Sequence, residues 1–287
     1  MLLKNSNKNV ILFDVNYYMQ RNYHGRPESY SVHGHEAHMF HGTIQMLKKE
    51  IKQLKPDHYV FCFDGDHNFR KVLYPEYKEG RKEKTQSYLE QEKDLIEYLR
   101  ASGAPVYRNV SYEADDLIAS FIFSLQKENY NFYIASKDKD LSQLLSSNVF
   151  MLKTERNPET GEQYEIIDSK KIYEKFGVSP EQIVLFLTLM GDKSDNLKFL
   201  QNIGVVTASK IVNNFSSLND IVKNLDEDVI INFKEQILNN LDKLYLAETL
   251  INLCHIKNFS AEDLLVNKEA KDKNKMDYLM NQKYLMR

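Results

Sequence analysis

Apolar positions alternate between short continuous runs and helix-spaced sets in the first half of the chain, and the second half turns helical. Val10-Ile11-Leu12-Phe13 has the pattern of a strand buried on both faces of a parallel sheet, and it ends in Asp14. Phe40, Ile44, Leu47, Ile51 and Leu54 then recur at helical spacing, which predicts a long helix from about His35 to Leu54. His58-Tyr59-Val60-Phe61-Cys62-Phe63 reads as a second strand, again ending in an acid, Asp64. Asp66 to Gln86 is polar and basic without clean periodicity. A helix is predicted over Tyr88 to Leu99, a short strand over Ala104 to Tyr107, and a helix after Ser111, whose side chain is the expected N-cap. Asn131 to Ser136 is a further strand, with Asp138 and Asp140 just beyond it. A hairpin-like stretch through Asn157, Pro158 and Gly161 follows. From there the chain turns helical. Ser179-Pro180-Glu181-Gln182 is a capping box with Pro at the first helical position, and Asn202-Ile203-Gly204 is a tight turn into another helix.

Strands alternating with helices predict an α/β fold, a mostly parallel sheet flanked by helices. Parallel sheets carry ligands at the carboxyl ends of their strands. Asp14, Asp64 and Asp138 each stand at the end of a different strand or just past it, so they are expected on one rim. The change of texture near residue 178 divides the chain into an α/β domain over 1–178 and a helical region over 179–287.

Composition alters this picture little. With 42% hydrophobic and 28% charged residues, the 287-residue chain is that of an ordinary globular protein. It holds no run of 18 apolar residues that could span a membrane. Met1 to Asn9 is polar, without the apolar core of a signal peptide, and Cys62 and Cys254 read as thiols of a reducing compartment. A cytoplasmic location is expected, bacterial or that of a host cell. A net charge of −3 does not mark a nucleic-acid binder, but an acidic site can mask basic patches in the sum.

Local charge is more informative. Glu113, Asp115 and Asp116 fall within four residues at a helix start, where one acid would merely complement the helix dipole. Three crowd one another, and divalent cations held by oxygen ligands relieve such crowding. With Asp14, Asp64, Asp138, Asp140, Asp192 and Asp195 they make nine acids for one rim. Carboxylate-rich, histidine-poor sites suit Mg²⁺ or Mn²⁺. Two such ions about 4 Å apart activate water and stabilise both oxygens of an in-line phosphoryl transfer. The stretch holding Arg70, Lys71, Lys78, Arg81, Lys82 and Lys84, interleaved with Phe69, Tyr74 and Tyr77, is either a solvated loop or a phosphate clamp with stacking surfaces.

In order along the chain stand Phe63-Asp64, Phe69-Arg70, Tyr77-Lys78-Glu79-Gly80-Arg81, Glu113-Ala114-Asp115-Asp116, Ser136-Lys137-Asp138-Lys139-Asp140-Leu141 and Gly191-Asp192-Lys193-Ser194-Asp195-Asn196. This set resembles the structure-specific 5′-nuclease family of flap endonucleases, stand-alone phage 5′–3′ exonucleases and the 5′-nuclease domain of bacterial DNA polymerase I. The resemblance runs over residues 9 to about 215. It implies a PIN-like sheet, a helical arch at about 66–102 through which a 5′ single strand threads, and a C-terminal helix–hairpin–helix. It further implies a first metal at Asp14, Asp64, Glu113, Asp115 and Asp116, and a second at Asp138, Asp140, Asp192 and Asp195. Arg21 would touch the scissile phosphate, and Lys78 and Arg81 would stand at the base of the arch. Arg70, Tyr77, Lys82, Asn202, Gly204, Thr207 and Lys210 would contact DNA, with a K⁺ ion at the hairpin. Substrates would be DNA with a 5′ flap or 5′ end and RNA–DNA hybrids, and replication proteins the partners. An end at residue 287 leaves no length for a polymerase domain, as in a stand-alone enzyme or a piece of a longer one. The chain departs from the family pattern at Asn202, where Gly is usual, at Val206, where Lys is usual, and at Phe199 and Val15, where Gly is common.

Three other readings stay open. His33, His35, His38 and His41 cluster as a zinc site would, although Gly34 and Gly42 interrupt them and no Cys assists. Phe63-Asp64-Gly65-Asp66 resembles the Asp-x-Asp of haloacid-dehalogenase-type phosphatases, which leaves the other acids unexplained. A replication accessory module without chemistry is the reading from a different class.

Overall fold

The structure, a computed structural model, describes residues 7–126, 129–157, 161–257, 259–261 and 270–286. The chain divides into two compact units, one of Met1–Asn68, Lys82–Lys137 and His255–Arg287, the other of Phe69–Arg81 and Asp138–Cys254.

The first unit is built on four parallel strands, β1 (Lys8–Asp14), β2 (His58–Phe63), β3 (Val106–Arg108) and β4 (Tyr130–Ala135), in the order β3-β2-β1-β4. Val10 to Phe13, Val60 to Phe63 and Phe132 to Ala135 are buried, as continuous apolar runs require of strands covered on both faces. Asp14 pairs in register with Cys62, so β1 and β2 finish at the same edge. Its helices include α1 (Val15–Gly25), α2 (His38–Leu54), α4 (Gln86–Ala101) and α5 (Ala114–Ser124), with a short helix at Lys273–Asp277 towards the end of the chain. The end of the chain returns to this unit. Tyr284 stacks on Phe40 at 4.3 Å, and its hydroxyl donates to Asp94 at 2.7 Å. The Ile256 N–H donates to the Ser120 hydroxyl at 2.9 Å.

The second unit holds α3 (Phe69–Leu73) and an antiparallel hairpin of β5 (Val149–Asn157) and β6 (Gly161–Ile167). Helices α6 (Ser169–Phe176), α7 (Ile183–Met190), α8 (Val205–Val212), α9 (Leu218–Lys223), α10 (Lys234–Asn239) and α11 (Leu241–Ile251) complete it. The Ser179–Gln182 capping box forms, opening a 3-10 turn that runs into α7. Gly191 has φ +76°, and a Cβ there would lie 2.7 Å from Lys198 Cα, so this position takes only glycine without a shift of the following loop.

Several expectations are corrected. Helix α1 is missing from the sequence reading; its residues Val15, Tyr18, Met19 and Asn22 are buried at helical spacing, but Asn22 and the surrounding polar residues blur the pattern. The long helix begins at His38 and not His35, because Ser31 to His35 form a turn closed by a Gly34 N–H to Ser31 bond and a Tyr30–Glu36 bridge. Ser111 is not the N-cap of α5. Glu113 is, in a capping box with Asp116. Pro158, read as part of the hairpin, lies outside the described residues.

Candidate active site

In the first unit the carboxyl edge of the sheet gathers acids because strand ends and helix starts coincide there. Asp14 is both the last residue of β1 and the N-cap of α1. Its carboxylate accepts the Tyr17 N–H at 3.1 Å and the Ser136 hydroxyl at 2.8 Å. Asp64, directly after β2, accepts the Ala114 N–H at 2.9 Å, which fixes the start of α5 against the strand end. Its other oxygen accepts from Asn16 Nδ2. Asp116 accepts the Glu113 N–H at 3.2 Å, and Glu113 and Asp116 are buried while Asp115 is half-buried. The positive end of α5 lowers the cost of placing these acids together. Cys62 lies among them: burial, then the charges of Asp14 and Asp115, push its thiol up.

In the second unit Asp138, Asp140, Asp192 and Asp195 form another acidic set. The Asp140 N–H donates to Asp138 at 3.0 Å as the chain enters the 3-10 turn Asp140–Leu144. Burial first, then the charge of Asp138, pushes the Asp140 carboxyl up to about 7. Asp140 Oδ1 is buried and accepts no hydrogen bond among the described residues. Asp192 is also partly buried, but hydrogen bonds from Lys139 and Ser194 outweigh desolvation and hold it at about 2. The Ser194 N–H and hydroxyl reach Asp192 at 2.7 and 2.6 Å.

The basic residues read from the sequence take different places. Arg81 meets Asp195 at 2.5 Å, the Tyr77 hydroxyl donates to Asp195 at 3.1 Å, and Lys78 Nζ is 3.8 Å from it. The backbone joins in, with the Lys78 N–H on the Asp195 carbonyl at 3.1 Å and Lys78 itself at φ +59°. Arg70 is buried, stacked on Phe69, with Nε donating to the Leu250 carbonyl at 2.7 Å near the end of α11. Arg21, half-buried on α1, donates to the Tyr17 hydroxyl at 3.4 Å. Lys82 is exposed. In the hairpin, Asn202 adopts φ +60°, the conformation that Asn tolerates where Gly is usual. Asn202, Gly204 and Lys210 are exposed and Thr207 is half-buried. Phe199 packs against the edge of Tyr74 at 6.3 Å.

Sequence reasoning missed three participants: Ser136 on Asp14, Asn16 on Asp64, and Lys139 on Asp192. Ser136 and Lys139 lie inside a motif in which only the acids carry a sequence signal. Asn16 carried no signal before α1 was known.

Among the described residues no three acids, histidines or thiols form a ready-made ion cage. Mg²⁺ does not require one, since it keeps several waters and binds through one or two carboxylates. The donor chemistry fits such an ion. All donors are carboxylate oxygens, one is buried and accepts no hydrogen bond among the described residues, and burial, then the charge of Asp138, disfavours ionising Asp140. The histidines do not form a zinc centre among the described residues: His38 Nε2 lies 3.2 Å from the Tyr23 carbonyl and His41 Nε2 is 2.7 Å from that of Tyr284.

Comparison with known proteins places both halves of the chain. The model of a 5′-3′ exonuclease N-terminal resolvase-like domain matches residues 9–177, and that of a 5′-3′ exonuclease C-terminal SAM fold matches residues 178–272. A DNA polymerase I of Borreliella burgdorferi is 33% identical over 89% of this chain, which spans only 29% of that relative. A 5′-3′ exonuclease of Buchnera aphidicola is 29% identical over 86% of this chain and 87% of its own length. A flap endonuclease of bacteriophage T5, solved as a pseudo-enzyme-product complex with DNA and metal ions, superposes with a TM-score of 0.70. It is 18% identical and covers 95% of this chain and 96% of its own, which shows a shared fold. The mostly parallel α/β fold with a helical C-terminal region is therefore as the sequence indicated.

Proposed function

The chain belongs to the 5′-3′ exonuclease family, and from that premise we propose that it hydrolyses phosphodiesters at DNA 5′ ends and 5′ flaps using two divalent ions, Mg²⁺ or Mn²⁺. The observation that carries this reading is the second acidic set, where a buried Asp140 oxygen that accepts no hydrogen bond among the described residues stands beside Asp138, Asp192 and Asp195. Asp14, Asp64, Glu113, Asp115 and Asp116 would hold one ion, and Asp138, Asp140, Asp192 and Asp195 the other. Such ions supply an activated water and neutralise the charge that grows on the phosphate.

The chain's own residues do the rest. Ser136 and the Tyr17 N–H orient the Asp14 carboxylate, and Asn16 and the Ala114 N–H orient Asp64. Arg21, Lys78 and Arg81 would bear on the scissile phosphate, and Lys82 would line the path of the 5′ strand. The arch would comprise residues 66–102, and Tyr77, buried with its hydroxyl on Asp195, would brace its base rather than touch DNA. The Asn202–Gly204 turn, Thr207 and Lys210 would grip duplex backbone through amide N–H groups and charge, with K⁺ at the turn. Arg70, buried on the Leu250 carbonyl, would brace this machinery from within. The division at residue 178, RNA–DNA hybrids as further substrates, replication proteins as partners and a cytoplasmic location belong to the same reading.

Cleavage of a 5′-flap duplex by the purified protein, with Mg²⁺ and with EDTA, tests it. Metal-dependent products at the junction or short 5′-terminal fragments are expected. Binding without cleavage in Mg²⁺ and Mn²⁺ would instead favour an accessory module.

A further inference from the structure

We propose that Lys139 is a positioning residue of the second acidic set: its ammonium keeps Asp140 and Asp192 assembled before a divalent ion is bound, and gives up its place on Asp192 once one is. The inference rests on the ion-binding reading of these acids.

Three observations carry it. Lys139 Nζ donates to Asp192 Oδ2 and stands 3.7 Å from Asp140 Oδ1, the buried oxygen that accepts no hydrogen bond among the described residues. Lys139 therefore spans the two acids as a cation would. The ammonium is only about one-third exposed, set between the two carboxylates. It is a resident positive charge. Asp195 is held in the same way by Arg81 at 2.5 Å and by Lys78 at 3.8 Å, so Asp140, Asp192 and Asp195 all face cations of the chain itself.

Physical consequence follows from linkage. A lysine has three donors on a flexible stem and no fixed fork, so it can leave one carboxylate without rearranging the backbone. An ion that uses Asp192 must displace the bond from Lys139, and that displacement subtracts from its affinity. In return, the acids are already gathered, which lowers the ordering cost of binding, though by less than the displaced charge-assisted bond subtracts. Once released, Lys139 is a free cation beside a site where phosphate charge would accumulate.

The test is Mn²⁺ binding by calorimetry, without DNA, to the wild type, Lys139→Met and Lys193→Met. Lys193 is exposed on the loop beside Asp192 and controls for loss of a nearby charge. Lys139→Met should tighten one Mn²⁺ affinity roughly tenfold, the low end of what a charge-assisted hydrogen bond is worth, and Lys193→Met should change it far less. Unchanged or weaker binding in Lys139→Met, or equal tightening in both variants, would overturn the inference while leaving the nuclease reading intact. Absence of Mn²⁺ binding to the wild type would overturn both. Should Lys139→Met not fold, reductive methylation of the wild type read by mass spectrometry gives the same decision. Lys139 should be modified faster with Mn²⁺ than with EDTA, and equal rates would count against its displacement.

Discussion

The Ser136 hydroxyl donates to Asp14 across 122 positions of the chain, at 2.8 Å and away from solvent. It joins the end of β4 to the end of β1 and fixes the orientation of a carboxylate that also caps α1. Replacing Ser136 by Ala removes a charge-assisted bond to a buried acid, which should cost about 1.5–3 kcal/mol. Urea unfolding in EDTA measures this loss, and a midpoint unchanged from wild type would show that the bond does not orient Asp14.

Asp138→Asn keeps the size of the side chain and an acceptor for the Asp140 N–H, yet removes the charge. Cleavage of a 5′-flap duplex should fall by on the order of a hundredfold or more, with flap binding in Ca²⁺ retained. Equal single-turnover rates for variant and wild type would remove Asp138 from the site.

Lys78→Ala should weaken binding of a 5′ single strand and make the slope of log affinity against log salt shallower by about one counterion. Lys78 also touches Asp195, so the experiment belongs in Ca²⁺, which would engage that acid if it serves an ion. An identical slope would leave Lys78 as a tie within its own unit.

The pH dependence of stability in EDTA has a definite sign. Asp140 titrates at about 7 when folded against an ordinary 3.8, so between these values the folded protein holds the proton more tightly than the unfolded chain. Stability contributed by this group is therefore lost as pH rises through that window. Asp192 works oppositely: held at about 2 against 3.8, it stabilises above that range and its contribution is lost only in stronger acid. From about pH 5 to about pH 8 the melting temperature of the wild type should fall relative to Asp140→Asn. Parallel curves would show that Asp140 is not crowded as its surroundings indicate.

Tyr284→Ala should destabilise the protein by about 3–5 kcal/mol, as loss of a buried aromatic does, whereas Tyr284→Phe keeps the Phe40 stack and loses only the bond to Asp94. Thermal unfolding of the two variants separates packing from hydrogen bonding, and equal losses would contradict that division.

Much of this molecule can be read from its sequence because strong local patterns and tertiary placement agree. Val10 to Phe13 and His58 to Phe63 are apolar enough that only a covered parallel strand suits them, and their terminal acids mark the edge. What escaped was governed by distant partners. Helix α1 has a weakly amphipathic face, and Asn22, which reads as polar, is buried on the Tyr18 carbonyl. The cap of α5 went to Glu113 because Asp116 could answer it reciprocally, a choice invisible until the helix register is known. Arg70 looked like a phosphate ligand in a basic run, yet its guanidinium is taken by a carbonyl 180 residues away.

The first unit draws on residues from both ends of the chain, and this bears on its biosynthesis. Its strands and their acids leave the ribosome early, but Ile256, Lys283 and Tyr284, which anchor on Ser120 and Asp94, come much later. At about 5–20 residues per second, the interval between β4 and Tyr284 is on the order of ten seconds. During that interval Phe40 lacks its stacking partner, so the nascent chain passes through a stage when chaperones and proteases can reach surfaces that the folded unit hides.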